Sequence, residues 1–135
     1  MTITYDQKAI GVIMTFERVT KAHVKNCVMD KTILFVVKEG DAGKAIGKNG
    51  MNIQKLSKLL KTPVRIVEYS DDPVTFVKNL IKNTDSKVYK STNGEITIEP
   101  HTSKDKGIIL GRDKQNLKLI QGIIAQHHKT NVKVL

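Results

Sequence analysis

The sequence predicts an α+β protein built from two copies of one small unit, each a three-stranded sheet packed against helices. Three observations carry this. Helical and strand-like apolar spacings follow one another in the same order in both halves, a glycine-containing loop precedes the long helix in each, and Pro73 after two acids starts the second copy.

Residues 6–19 form the first predicted helix, with Ile10, Ile13, Phe16 and Val19 on one stripe at spacings of three. Strands are predicted over 22–29 and 32–38, with Asp30-Lys31 as the turn; Ile33-Leu34-Phe35-Val36-Val37 is too short and too β-branched to favour a helix. Gly40 breaks that run, and Asp41 is placed to cap a short helix ending near Ile46. After Gly47-Lys48-Asn49-Gly50 comes a helix of about three turns, turning Ile53, Leu56, Leu59 and Leu60 inward. Pro63 ends it, and Val64-Arg65-Ile66-Val67 reads as a strand.

Asp71-Asp72-Pro73 is a helix-start signal, with the acids as cap and proline at the first helical position. The helix runs to about Ile81. Strands follow around 87–90 and 95–98, joined by the turn-forming pair Asn93-Gly94. A short helix over 104–110, a loop at Gly111, a longer helix to about His128 and a strand over 132–135 complete the chain. Domains are accordingly predicted over 1–70 and 71–135.

The halves align as a repeat. A shift of 64 sets Asp41 on Asp105, Gly43 on Gly107, Gly47 on Gly111 and Asn52 on Asn116, while Ile46, Ile53, Leu56, Leu59 and Leu60 fall on Leu110, Leu117, Ile120, Ile123 and Ile124. Each half is basic: residues 1–70 carry 12 Lys and Arg against 6 acids, and residues 71–135 carry 11 against 7.

Composition narrows the partner. The formal net charge of +10 points to a polyanion, because neutralising phosphates releases counterions. Aromatics are only 4% and Trp is absent, which excludes surfaces that depend on stacking bases against rings. The lone cysteine, Cys27, excludes an internal disulfide and reads as a core residue. No run approaches the roughly 20 apolar residues of a membrane helix, and Met1-Thr2-Ile3-Thr4 opens no export signal, so a cytoplasmic protein with no membrane partner is expected.

The loop at 47–50 is the strongest candidate site. Its glycines remove Cβ atoms and let a sugar-phosphate chain approach the backbone. The helix that follows directs its amides toward an anion. Lys48 adds a mobile cation and Asn49 a polar side chain suited to phosphate or sugar oxygens. Ile46 and Ile66 offer an apolar bed for bases, and Lys44 and Lys55 extend the basic track or are simply solvated.

This arrangement resembles the KH domain, whose Gly-x-x-Gly loop clamps a short run of single-stranded backbone. Helix-strand-strand ahead of the loop resembles the prokaryotic, type II form. Val36-Val37-Lys38-Glu39-Gly40-Asp41, Ala45-Ile46-Gly47-Lys48-Asn49-Gly50 and Val67-Glu68-Tyr69-Ser70-Asp71-Asp72-Pro73 are together similar to the short archaeal NusA-like proteins. These consist of two KH domains and are assigned to transcription termination or antitermination. The resemblance implies tandem type II KH domains, single-stranded RNA as partner, and RNA polymerase or its elongation complex as a further one. A KH factor of ribosome assembly or translation is the alternative. Larger bacterial relatives carry an additional polymerase-binding domain for which this chain has no room. A monomer is expected.

The second loop departs from the pattern. It reads Gly111-Arg112-Asp113-Lys114, with lysine at the closing glycine. It either only connects two helices or faces RNA through the charges of Arg112 and Lys114, opposed by Asp113.

Enzymatic readings fare poorly. Gly43-Lys44-Ala45-Ile46-Gly47-Lys48 approaches a nucleotide-binding loop, but its glycines are one residue too close and Asn49 stands where a magnesium-holding hydroxyl belongs. His127-His128 are adjacent and point about 100° apart on a helix, so they cannot chelate one ion. His23 and His101 have no evident partner. No enzymatic activity, metal or cofactor is expected.

Overall fold

A computed structural model describes residues 7–135 and divides into two compact units, one ending at Ser70 and the other beginning at Asp71. In the first, helix α1 (Gln7–Thr20) leads into strands β1 (Val24–Met29) and β2 (Ile33–Val37), a short helix α2 (Ala42–Ile46), helix α3 (Met51–Leu60) and strand β3 (Val64–Glu68). The second repeats the order: α4 (Pro73–Leu80), β4 (Ser86–Lys90), β5 (Ile96–Pro100), α5 (Ser103–Leu110), α6 (Gln115–His128) and β6 (Val132–Val134). Position 6, where the first helix was predicted to begin, lies outside the described residues.

Each unit holds one three-stranded sheet of the same topology. β2 is central, antiparallel to β1 and parallel to β3; β5 is central, antiparallel to β4 and parallel to β6. The parallel pairs bring the strand after the long helix back beside the middle strand, with Phe35 opposite Ile66 and Ile96 opposite Val132. All five residues of β2 are buried, which explains its unbroken apolar run. A register shift between Val24 and Asn26 interrupts β1, and the intervening Lys25 places its ammonium 3.9 Å over the Tyr69 ring.

The first core gathers Val12, Phe16, Ala22, Cys27, Ile33, Phe35, Val37, Ala45 and Leu56, with the Phe16 and Phe35 rings stacked at 4.0 Å. Burial pushes the Cys27 thiol up to about 11, so it stays a neutral core group. In the second unit Phe76, Leu80, Ile96, Ile98, Ile109, Ile120, Ile123 and Ile124 are fully buried, and Phe76 meets the His127 and His128 rings edge-on. No helix among the described residues is long and apolar enough to cross a membrane.

Three details correct the sequence reading. The buried face of α1 is Ala9, Val12, Phe16 and Thr20, while Ile10 is 49% exposed. Steps of three fall 60° short of a full turn, so Ile10 at the start of the predicted stripe lies off the core-facing side, while Phe16 is buried and Ile13 and Val19 pack against the core. In α3, Leu56 is buried and Ile53 and Leu60 are half-buried, but Leu59 points outward. Asp41 stands at the start of α2 without capping it. Its backbone is already helical (φ −96°, ψ −6°), and its carboxylate accepts instead from the His23 amide at 2.8 Å. Glu68 Oε1 takes the first amide of α2, that of Ala42, at 3.4 Å. By contrast Asp72 caps α4 as predicted, accepting from the Val74 amide and the Thr75 hydroxyl.

Candidate nucleic-acid interface

The first loop begins where α2 ends. The Gly47 amide donates to Gly43 O at 3.0 Å, and Gly47 then leaves the helix at φ 79°, ψ 167°. A single tight turn over Lys48–Gly50 follows, closed by the Gly50 amide on Gly47 O at 3.1 Å, before α3 starts at Met51. Asn49 (φ 55°, ψ 28°) and Gly50 (φ 72°, ψ 18°) are both left-handed.

The two glycines answer different demands. A Cβ on Gly47 would lie 2.9 Å from Asn52 Cγ, so glycine is required by contact. At Gly50 nothing stands within 4 Å of that position. There glycine serves the left-handed backbone and leaves a face open to a ligand. Lys48 and Asn49 between them are exposed, and among the described residues no carboxylate pairs with Lys48.

The neighbouring candidates divide. Ile46 is exposed beside the loop, whereas Ile66 is half-buried and packs against the first core. Lys44 forms an ion pair with Asp41 at 3.5 Å, and Lys55 is exposed on α3. The Asp41 carboxylate is held below its ordinary value of 3.8 by the His23 amide and, secondarily, by Lys44.

The second loop is close to a backbone copy of the first. Gly111 has φ 70°, ψ −179°, Asp113 φ 54°, ψ 30°, and Lys114 φ 59°, ψ 22°. Arg112, Asp113 and Lys114 are all exposed. Lysine thus holds the left-handed conformation that glycine holds in the first loop.

Sequence reasoning passed over Asn52 as a site residue. Its amide donates to Lys44 O at 2.8 Å, and Asn116 donates to Ile109 O at 2.9 Å. The signal was present, because the repeat aligns these two asparagines. Among the described residues no group of three or more His, Cys, Asp or Glu is placed to hold a metal.

A KH-domain family model matches residues 12–99, from within α1 through the first unit and into β5. A relative from Methanocaldococcus jannaschii, named "Probable transcription termination protein NusA", is 34% identical over 128 residues, covering 89% of this chain and 68% of its own. One of the same name from Halobacterium salinarum is 30% identical over 132 residues, covering 94% of each. The crystal structure of APE1850 superposes with a TM-score of 0.72 at 26% identity, covering 97% of this chain and 100% of the other.

Proposed function

This chain belongs to the KH-domain proteins of the NusA-like family, and from that premise we propose that it binds single-stranded RNA and acts on nascent transcripts in termination or antitermination. The observation that carries the binding step is the 47–50 loop: an open, left-handed Gly50 beside an exposed Lys48 with no carboxylate partner among the described residues. A phosphate can approach the Gly50 backbone closely, with Lys48 supplying charge and Asn49 a polar contact. Ile46 gives an apolar surface for a base, with Lys44, Lys55 and the exposed edge of Ile66 at the margins. The transcriptional role rests on the names of the relatives, and RNA polymerase or its elongation complex is the further partner this role brings.

We further propose that the two units are tandem type II KH domains. Support comes from the shared order of helix, two antiparallel strands, two helices and a parallel third strand. The second loop is then a weaker RNA site. It has the backbone of the first, but the Lys114 side chain stands where close approach would occur, and Arg112 and Lys114 substitute charge for contact.

Fluorescence anisotropy with short single-stranded RNAs tests the reading. Lys48→Asp combined with Asn49→Asp should weaken binding by about tenfold or more through phosphate repulsion, without touching the buried face of α3. A folded variant that binds as tightly as wild type would show the loop assignment to be wrong.

A further inference from the structure

We propose that Asn52 and Asn116 are positioning residues that set both loops in their RNA-competent form without touching RNA themselves; this rests on the RNA-binding reading above. Lys48-Asn49-Gly50 and Arg112-Asp113-Lys114 share no residue at any position, yet the last two residues of each adopt the same left-handed pair of conformations. The loop residues that differ cannot be what fixes a conformation that is the same. Two residues bracketing each loop are identical: the opening glycine, Gly47 or Gly111, and the asparagine five positions on.

These two residues meet. A Cβ on Gly47 would fall 2.9 Å from Asn52 Cγ and Nδ2, and one on Gly111 would fall 2.7 Å from Asn116 Cβ. Each asparagine is the second residue of its helix, and its side-chain amide turns back onto the preceding short helix. Asn52 Nδ2 donates to Lys44 O at 2.8 Å, while Asn116 Nδ2 donates to Ile109 O at 2.9 Å and Ile108 O at 3.3 Å. Those carbonyls belong to the last turn of the short helix, where no further helical amide reaches them. The asparagine therefore ties the end of the short helix to the start of the long one, and the missing Cβ lets them close. The residues between must then bridge a fixed gap, and the left-handed pair is how they do it. Pre-setting the loop spares RNA the cost of ordering it.

The test pairs Asn52→Ala with wild type and the Lys48→Asp/Asn49→Asp variant, reading RNA anisotropy together with NMR order parameters for the Lys48 and Asn49 amides. Asn52→Ala should keep the strand and long-helix signals, lose order at those two amides, and bind RNA about tenfold more weakly, the equivalent of one hydrogen bond. If the loop stays ordered, or loses order with no change in affinity, the inference is overturned while the functional reading survives. Wild-type protein that binds no RNA overturns both. Should Asn52→Ala fail to fold, Asn52→Asp has the same shape, lacks the donor and suits a helix N-terminus. Retained loop order in that variant would likewise count against the inference, and lost order would support it.

Discussion

At Lys114 an L-residue occupies the left-handed backbone region, with Asp113 beside it in the same region. That conformation costs a side chain roughly 1–2 kcal/mol relative to a right-handed one, a penalty glycine escapes. Lys114→Gly should therefore stabilise the protein by about 1 kcal/mol, readable as a rise in the urea midpoint without a change in slope. The same substitution decides how the second loop works. If its charge compensates for lost backbone approach, the more stable variant binds RNA more weakly; a gain in affinity would mean that the side chain obstructs. The sequence disclosed the missing glycine but not its consequence, since only the dihedral angles reveal that the loop kept its shape. The role of Gly47 was legible in type yet not in cause. Close approach by RNA was the reason read from the sequence, whereas the contact found at that position is with Asn52.

The order and kind of the elements were legible because apolar spacing switches between helical and strand periods with glycine or proline at most boundaries. Which side of a helix faces inward was less so. Leu59 and Ile123 occupy the same repeat position, yet Leu59 is 52% exposed and Ile123 fully buried. Ile123→Ala should then cost about 2–5 kcal/mol in denaturant unfolding, while Leu59→Ala stays within about 0.5 kcal/mol. Comparable losses at the two sites would contradict these burial assignments. The short helices are tied down by carboxylates whose partners are remote in sequence and so invisible to local reading. Asp41 accepts from the His23 amide, and the Asp105 carboxylate accepts from the Asp85 amide at 3.2 Å and from the Thr102 hydroxyl, while the Asp105 amide donates back to the Thr102 hydroxyl oxygen. Both acids are held below their ordinary value of 3.8, Asp41 chiefly by His23 and Asp105 chiefly by the Thr102 hydroxyl. A carboxylate depressed in the folded state adds stability that is present above its unfolded value and is lost as pH falls through the folded one. Thermal unfolding followed from pH 6 to pH 3 should show the midpoint falling below about pH 4. Asp41→Asn with Asp105→Asn should flatten part of that decline, and an unchanged acid limb would mean these contacts carry no stability.

At the scale of the whole molecule, the repeat is what turned a common short motif into a readable architecture, because both halves place the same elements around the same loop. Charge belongs to this scale as well. The +10 balance is spread over both halves, with 12 basic residues against 6 acidic in 1–70 and 11 against 7 in 71–135. RNA affinity should consequently fall with added salt, by about 0.7 log units per log unit of salt for each phosphate neutralised. The loops can be separated by that slope. Lys48→Asp/Asn49→Asp should reduce it by at least the equivalent of one phosphate and weaken binding at every salt concentration. Arg112→Asp/Lys114→Asp should reduce the slope as well, but with the smaller loss of affinity, since the second loop offers charge without an open backbone. If the second pair left both slope and affinity unchanged, that loop would be a connector between α5 and α6 and the first would bear the RNA alone. A wild-type affinity indifferent to salt would instead assign the basic surface to a partner other than nucleic acid.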